Sequence, residues 1–308
     1  MNAETPIDYG QLGRRDARKA LVSAVEAEDL ERVRHIIEKR PDIVDARNSH
    51  GHTPLSEAVP TGNLDIVRAL VEAGADPMQR NHGGSSLIDA AAHVGCVEVA
   101  RFLQSNGCVV TRYHAAALGD VDAIRQELDS DDNIAGLRGP RGTTMLHHAA
   151  HGNHSELCSL LIAAGAPVDP RDGHRHTPLC YAVERNALEA AEVLIESGAD
   201  VNHHAGHFGG TVLHRAILNR FAEMSLLLID SGADPNIQDF SGKSALHSAV
   251  ASGKTQVVGA LLNSTIDLDL RTRKTKQQPG NETALEYAQR LKKKRITQIL
   301  EAHLTATP

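Results

Sequence analysis

Large aromatic side chains are scarce in this sequence: its 308 residues include four Phe, four Tyr and no Trp. Compact enzymes of this length usually fill a central core with aromatic rings. We therefore expect a thin core built from Ala, Leu, Val and Ile. The chain has material for such a core, because 41% of its residues are apolar and 23% are charged, a composition typical of folded proteins rather than disordered ones.

Long apolar segments are also missing. No run approaches the roughly 18 residues that a membrane-spanning helix needs. The first twenty residues have no apolar stretch of the kind found in a signal peptide. We therefore expect no contact with a membrane and a cytoplasmic location.

Cysteine is rare and follows no metal-binding pattern. Cys96, Cys108, Cys158 and Cys180 have no CxxC spacing, which predicts reduced, mostly buried thiols and neither a disulfide framework nor a zinc site. Basic charge is not in excess either, since the net charge is −7 and the sequence pI is about 6.2. This balance argues against a general nucleic-acid binder.

What the sequence contains instead is an internal repeat. A helix end rich in small residues, a tight turn and a second helix with apolar residues at i, i+3, i+4 and i+7 recur along the chain. The turns between the two helices fall at Glu28, Gly62, Gly95, Gly119, Asn153, Asn186, Arg220, Gly253 and Lys292. Their intervals of 34, 33, 24, 34, 33, 34, 33 and 39 residues indicate nine units with one deletion and one insertion.

Each unit carries signals for the start and the end of its helices. The segment Thr53-Pro54-Leu55 supplies a capping hydroxyl, a Pro that is tolerated in the first helical turn and an apolar anchor. Gly or Asn serves at six of the nine turn positions, because this turn needs positive φ. The paired leucines of the second helices, such as Leu160-Leu161 and Leu227-Leu228, are expected to be buried against the next unit.

These units resemble the repeats of the ankyrin-repeat family. The family's motifs stand here as TPLSEA at 53–58, TMLHHAA at 144–150, TPLCYA at 177–182, TVLHRA at 211–216, SALHSA at 244–249, GADVN at 198–202 and GADPN at 232–236. The resemblance covers about residues 16–304. It implies an all-α repeat solenoid of about nine stacked helix-turn-helix units, with a projecting β-hairpin loop, here called a finger, at each junction.

The departures from the repeat suggest boundaries. We expect a mobile N-terminal tail over 1–15, a single solenoid over 16–304 and a tail over 305–308. Within the solenoid, 16–47 is expected to be a polar N-cap unit, 48–270 the internal units and 281–304 the C-cap unit. The short interval before Gly119 predicts a missing finger, and the long interval before Lys292 predicts a longer, basic one.

Histidine is abundant, with 18 residues, and clusters at 147–154. The resemblance implies that His147, like its equivalents His214 and His247, is structural and hydrogen-bonds the backbone at the loop junction. His148 and His151 lie three residues apart on one helix and would need a third ligand from a neighbour to hold a metal. The sequence has no GxSxG, HExxH or phosphate-binding loop. We therefore assign no catalytic residue, metal or cofactor.

Ankyrin-repeat proteins generally bind partners through fingertips and the exposed ends of the first helices. Carried over to this sequence, those positions form a group that we call the contact set: His50, His52, His82, His93, Arg141, His151, His174, His176, Glu184, Arg185, His207, Phe208, Leu218, Asn219, Phe240 and Lys243. Phe208 precedes Gly209, and Phe240 lies two residues before Gly242. These two residues are either interface anchors or rings that pack on their own hairpins.

The sequence thus predicts a monomeric scaffold that binds another protein on a preformed concave face, without catalysis. A partner with an acidic segment would suit the basic finger and a protonated histidine surface. The alternative is a histidine-rich groove used as a metal-dependent or hydrolytic site. Nucleic-acid binding through the basic finger conflicts with the acidic net charge.

Overall fold

The computed structural model describes residues 7–80, 84–204, 209–275 and 280–306, which form eighteen α-helices in nine consecutive helix-turn-helix pairs. This confirms the predicted all-α repeat architecture. The helices cluster into two compact units, one ending at Asp120 and the other beginning at Val121. The boundary between the two units falls within the fourth helix pair. The sequence had predicted a single solenoid over 16–304.

The first unit contains the first seven helices. They are α1 (Arg14–Glu26), α2 (Leu30–Lys39), α3 (Pro54–Ala58), α4 (Leu64–Glu72), α5 (Leu87–Val94), α6 (Val97–Ser105) and α7 (Arg112–Leu118). Its core consists of small and aliphatic side chains such as Ala24, Leu55 and Leu70, all with no exposed surface. The aromatic-poor composition is therefore sufficient for this packing.

The second unit contains the remaining eleven helices. They are α8 (Val121–Ser130), α9 (Met145–His151), α10 (Ser155–Ala163), α11 (Pro178–Arg185), α12 (Leu188–Glu196), α13 (Val212–Leu218), α14 (Ala222–Asp230), α15 (Ala245–Ser252), α16 (Thr255–Leu262), α17 (Ala284–Arg290) and α18 (Lys294–Ala306). No helix in the described part of the chain is long and apolar enough to cross a membrane.

The turn between the two helices of each pair has a left-handed residue. All nine residues predicted at these turns have positive φ, including the three that are neither Gly nor Asn: Glu28 at 53°, Arg220 at 64° and Lys292 at 57°. Side chains with a Cβ rarely adopt this conformation. The turn therefore keeps its left-handed conformation in every repeat, even where the residue is neither Gly nor Asn.

Only one leucine of each predicted pair is fully buried. Leu161 and Leu228 have no exposed surface, whereas Leu160 and Leu227 are half-buried. Successive residues on an α-helix point about 100° apart, and in these two helices the second leucine faces the core while the first lies at its edge. The expectation that both members of each pair are buried was wrong in this respect.

The fingers are tight turns rather than extended hairpins. Within the described residues there is no strand, and the β-type pairs are the isolated bridges Arg80–Ser86 and His204–Thr211. In a typical finger the backbone N–H of Asp172 donates to the carbonyl oxygen of His176 across 3.0 Å. The finger predicted to be missing is replaced by a connection of six residues, 106–111, between α6 and α7.

The predicted N-terminal tail over 1–15 needs correction. Tyr9–Gln11 form a 3-10 helix and α1 already begins at Arg14. Tyr9 is buried, and its hydroxyl accepts a hydrogen bond from Nε of Arg32 across 3.1 Å. Residues 7–15 are thus held against α2, and residues 1–6 lie outside the described residues. At the other end, α18 continues to Ala306, into the expected tail over 305–308.

Candidate protein-binding surfaces

Three buried histidines of the second unit join first helices to the loops that follow them. Nδ1 of His147 accepts from the backbone N–H of Thr144 across 3.0 Å, and Nε2 donates to the carbonyl oxygen of His176 across 3.1 Å. His214 and His247 repeat this arrangement, with Nε2 donating across 3.0 Å to the carbonyls of Lys243 and Glu282. Burial lowers the pKa of all three imidazoles. They are structural, as the resemblance implied.

A buried carboxylate organises the finger that carries His174 and His176. Oδ1 of Asp172 accepts from the backbone N–H groups of both histidines across 2.8 Å, and Oδ2 accepts from the Tyr181 hydroxyl across 2.9 Å. Burial raises the pKa of Asp172, but these hydrogen bonds outweigh it and hold the pKa below its usual value. The finger is therefore fixed before any partner arrives.

Tyr181 brings three predicted contact residues together. The centroid of its ring lies 6.1 Å from that of His151 and 6.3 Å from that of His176, which in turn lies 6.2 Å from His174. Our sequence reasoning missed Tyr181, although its place on the first helix of the same repeat was a usable signal. Among the described residues, no group of three or more His, Cys, Asp or Glu is arranged to hold a metal ion.

The first-helix positions of the second unit differ in what they offer a partner. Oε1 of Glu184 already accepts from Nη1 of Arg215 across 2.6 Å, so this predicted contact residue has a partner on the next first helix. Leu218 is 57% exposed at the end of α13. Arg185 and Asn219 are exposed as well. The sequence reasoning missed Arg215, the residue that forms this ion pair with Glu184.

Phe240 is the most exposed aromatic residue of the described chain, with 71% of its surface accessible. A Cβ added to Gly209 would lie 2.4 Å from its ring, so the ring packs directly on the backbone of the neighbouring finger. The loop itself is closed by Asp239, whose Oδ1 accepts from the backbone N–H of Ser241 and Lys243. Phe240 is thus held in place and exposed at the same time.

Other residues of the contact set lie near these features or outside the described part. Nζ of Lys243 stands 5.5 Å from the centroid of the Tyr287 ring. Arg141 is exposed, and its carbonyl accepts from the backbone N–H of Gly173 across 2.7 Å. The predicted contacts His82, His207 and Phe208 lie outside the described residues.

In the first unit, α3, α5 and their flanking loops line a cleft of about 450 Å³. It contains two predicted contact residues, His52 and His93. Nδ1 of His52 lies 3.1 Å from Oε1 of Glu57. The third of this unit's contact residues that the structure describes, His50, is exposed, and the centroid of its ring lies 6.4 Å from that of His52.

The acidic residues of this cleft were missed by the sequence reasoning. Oδ1 of Asp89 lies 2.9 Å from Nε2 of His114, and Oδ2 accepts from the backbone N–H of Ser86 across 2.6 Å. Burial raises the pKa of Asp89, but the hydrogen bonds from His114 and Ser86 prevail and lower it. Asp89 stands at the third position after the helix cap, where His147 stands in its own repeat, and that alignment was the signal.

The model of the family described as "Ankyrin repeats (3 copies)" matches residues 21–114, 113–205 and 213–306. The chain belongs to the ankyrin-repeat family. Ankyrin repeats are typically non-catalytic protein-interaction modules, which fits finger loops and helix ends that carry exposed side chains. His147, His214 and His247 each stand at the third position after the cap of a first helix, so the frame of the repeat accounts for them as structural residues.

Three relatives match a large part of this chain over a smaller part of their own length. The B-cell lymphoma 3 protein homolog of Mus musculus is 32% identical over 74% of this chain and 39% of its own length. The nuclear factor NF-kappa-B p105 subunit of Gallus gallus is 29% identical over 68% of the chain and 20% of its length. The E3 ubiquitin-protein ligase KEG of Arabidopsis thaliana is 28% identical over 87% of the chain and 16% of its own length. The chain therefore spans less than two fifths of each of these ankyrin-repeat relatives.

Proposed function

We propose that this ankyrin-repeat chain is a non-catalytic scaffold that binds another protein through its fingertips and the exposed ends of its first helices. The residues proposed to make contact are those of the contact set. The observation that carries the proposal is Phe240, a large apolar side chain that is exposed yet fixed against Gly209. Rigid exposed aromatic residues are typical anchors of protein interfaces, because little conformational entropy is lost when they are covered.

The charges of the contact set in the second unit favour a partner with an acidic segment. The second unit's share of the contact set contains Arg141, Arg185 and Lys243 as cations. Its one acid, Glu184, is already paired with Arg215. An acidic segment would therefore meet an excess of positive charge, and its binding should weaken as the salt concentration rises.

We further propose that the chain acts as a monomer in the cytoplasm. All four cysteines are free, and burial raises the pKa of Cys158 to about 12. Buried, protonated thiols are typical of proteins from reducing compartments. Light scattering at micromolar concentration tests the monomer, and a dimer mass would contradict it.

The test of the scaffold is affinity capture from cell extract followed by mass spectrometry, with the unmodified chain and two variants. Phe240→Ala should lose its specific partners, and its affinity for a purified partner should fall at least tenfold, about 1.4 kcal/mol. Leu304→Ala is the matched control, because Leu304 is 45% exposed in the same unit and outside the contact set. Equal capture by both variants would remove Phe240 from the interface.

A further inference from the structure

Five cations lie close together on one edge of the second unit. They stand at the turns between the helices of the last two repeats and at the starts of α16 and α18, and we call them the basic edge: Lys254, Lys292, Lys293, Lys294 and Arg295. α16 and α18 pack against each other, and a Cβ added to Gly253 would lie 3.3 Å from Nζ of Lys293. The cations of the two repeats therefore converge on the same turn.

These charges have no acidic partner within the part of the chain that the structure describes. Four of the five residues are exposed and Lys293 is half-buried, and none of them forms an ion pair with another described residue. The two acids at the start of the last repeat have other partners, since Glu282 pairs with Arg290 and Glu286 with Arg271. A local excess of positive charge thus stands on a chain whose net charge is −7.

The cations occupy positions where they destabilise the helices. In the two preceding repeats the second position of the second helix is an acid, Glu189 in α12 and Glu223 in α14, which the positive end of the helix dipole favours. α18 has Arg295 there, and α16 has no acid in its first turn. Lys254, at the cap of α16, makes no side-chain cap hydrogen bond. Helix stability therefore does not account for these cations, which points to a role in binding.

We propose that the basic edge binds a short acidic segment of the partner protein, whose carboxylates meet the ammonium groups and the guanidinium of Arg295. The axes of packed helices lie about 8–10 Å apart, so the two turns match about three or four residues of extended chain. The inference rests on the proposed scaffold function and adds a surface outside the contact set. Leu218 and Asn219 of the contact set directly precede the equivalent turn one repeat earlier, so one partner can reach both surfaces.

Acids beside the basic edge favour a short segment over a long or flat polyanion. Glu223 is exposed at the start of α14, one repeat before Lys254, and Glu301 is exposed further along α18. A nucleic acid or an anionic membrane that covered the edge would also approach these carboxylates, which would repel it. A segment of a few residues can avoid them.

The inference can be tested with peptides, without knowing the partner. The probes are acetyl-Gly-Glu-Glu-Glu-Glu-Gly-amide and its Gln counterpart, which has nearly the same size and no charge. In a titration of the full chain followed by NMR at low salt, the Glu peptide should shift the backbone amides of 253–256 and 292–296. The Gln peptide should bind about tenfold more weakly. Equal binding of the two peptides, or shifts confined to other parts of the chain, would overturn the inference.

Arg295→Glu separates binding from folding, because its two effects have opposite signs. It should weaken the Glu peptide about tenfold and at the same time raise the melting temperature, since it places an acid at the start of α18. Lys254→Gln should weaken the peptide about threefold. Lys19→Gln is the control, because Lys19 is an exposed lysine of the first unit, and it should leave binding unchanged. Unchanged affinity in Arg295→Glu, or an equal loss in Lys19→Gln, would contradict the assignment.

Two further probes test the chemical class of the ligand. An oligothymidylate with the same number of charges as the Glu peptide, and vesicles that contain phosphatidylserine, should each bind the basic edge more weakly than the peptide does. If either one binds at the same amides as tightly as the Glu peptide or more tightly, the edge belongs to nucleic acid or to a membrane and the inference is wrong.

The outcomes also distinguish this inference from the scaffold proposal. If the Glu peptide does not bind while partners are still captured through Phe240, the assignment of the basic edge fails and the scaffold stands. If the peptide binds at the basic edge but extracts yield no partner that depends on Phe240, the scaffold interface fails instead.

Discussion

At the scale of single residues, each buried histidine is held in its neutral form by a fixed pair of hydrogen bonds. His147, His214 and His247 each use Nδ1 on the cap of their own helix and Nε2 on the carbonyl of the next finger. Both contacts require the neutral ring with its proton on Nε2. A second proton would have to displace the cap contact in a buried site. The three imidazoles therefore stabilise the fold only while they are neutral.

This gives a pH dependence of stability with a definite sign. Because burial lowers the pKa of the three imidazoles in the folded state, the unfolded chain binds more protons below its ordinary histidine pKa of about 6.5. Stability should be complete above pH 6.5 and fall as the pH decreases below it. In His214→Gln the slope should be smaller by up to about 1.4 kcal/mol per pH unit, measured by urea unfolding between pH 7.5 and 5. Equal slopes for variant and parent would show that His214 is not held neutral.

At the scale of helices, the second helix of each repeat follows a rule that the last two break. Seven of the nine second helices carry an acid at their second position: Glu31, Asp65, Glu98, Asp122, Glu156, Glu189 and Glu223. Carboxylates there interact favourably with the positive end of the helix dipole. In α18 this position is Arg295, and its first turn has no acid.

Arg295→Glu should therefore raise the free energy of unfolding by about 0.3–1 kcal/mol. Gln298→Glu adds an acid one turn further along the same helix and should change stability less, because the dipole effect fades within the first turn. Both are compared by urea unfolding at low salt. An equal gain from the two variants would point to the added negative charge in general rather than to its place near the end of the helix dipole.

The helices and their turns were predictable because the signals that place them are local. The period alone located the left-handed turn between the two helices of every pair, including Arg220, whose side chain does not favour one. The docking of Tyr9 was not predictable, since it depends on Arg32, 23 residues away in the sequence. In the candidate sites, the positions of His52 and Phe240 followed from the repeat. The pairing of Asp89 with His114 and the packing of Phe240 on Gly209 depend on neighbouring repeats, which a single motif does not describe.

At the scale of the whole molecule, the chain clusters into two compact units whose repeats pack mainly on their sequence neighbours. In such arrays stability is a sum of repeat terms and nearest-neighbour terms, so damage in one repeat should remain local before it spreads. Leu70 lies in the core of the first unit and Leu228 in that of the second, both without exposed surface. Truncating either side chain would therefore create a comparable cavity, one in each unit.

Leu70→Ala and Leu228→Ala should each cost about 2–4 kcal/mol through the cavity left behind. Hydrogen exchange of the full chain, read by mass spectrometry, should show faster exchange before Asp120 for the first variant and after Val121 for the second. Leu227→Ala is the control, since its half-buried side chain leaves a smaller cavity and should change exchange less. If Leu70→Ala and Leu228→Ala accelerate exchange equally along the chain, the molecule unfolds as one cooperative block and the local response is refuted.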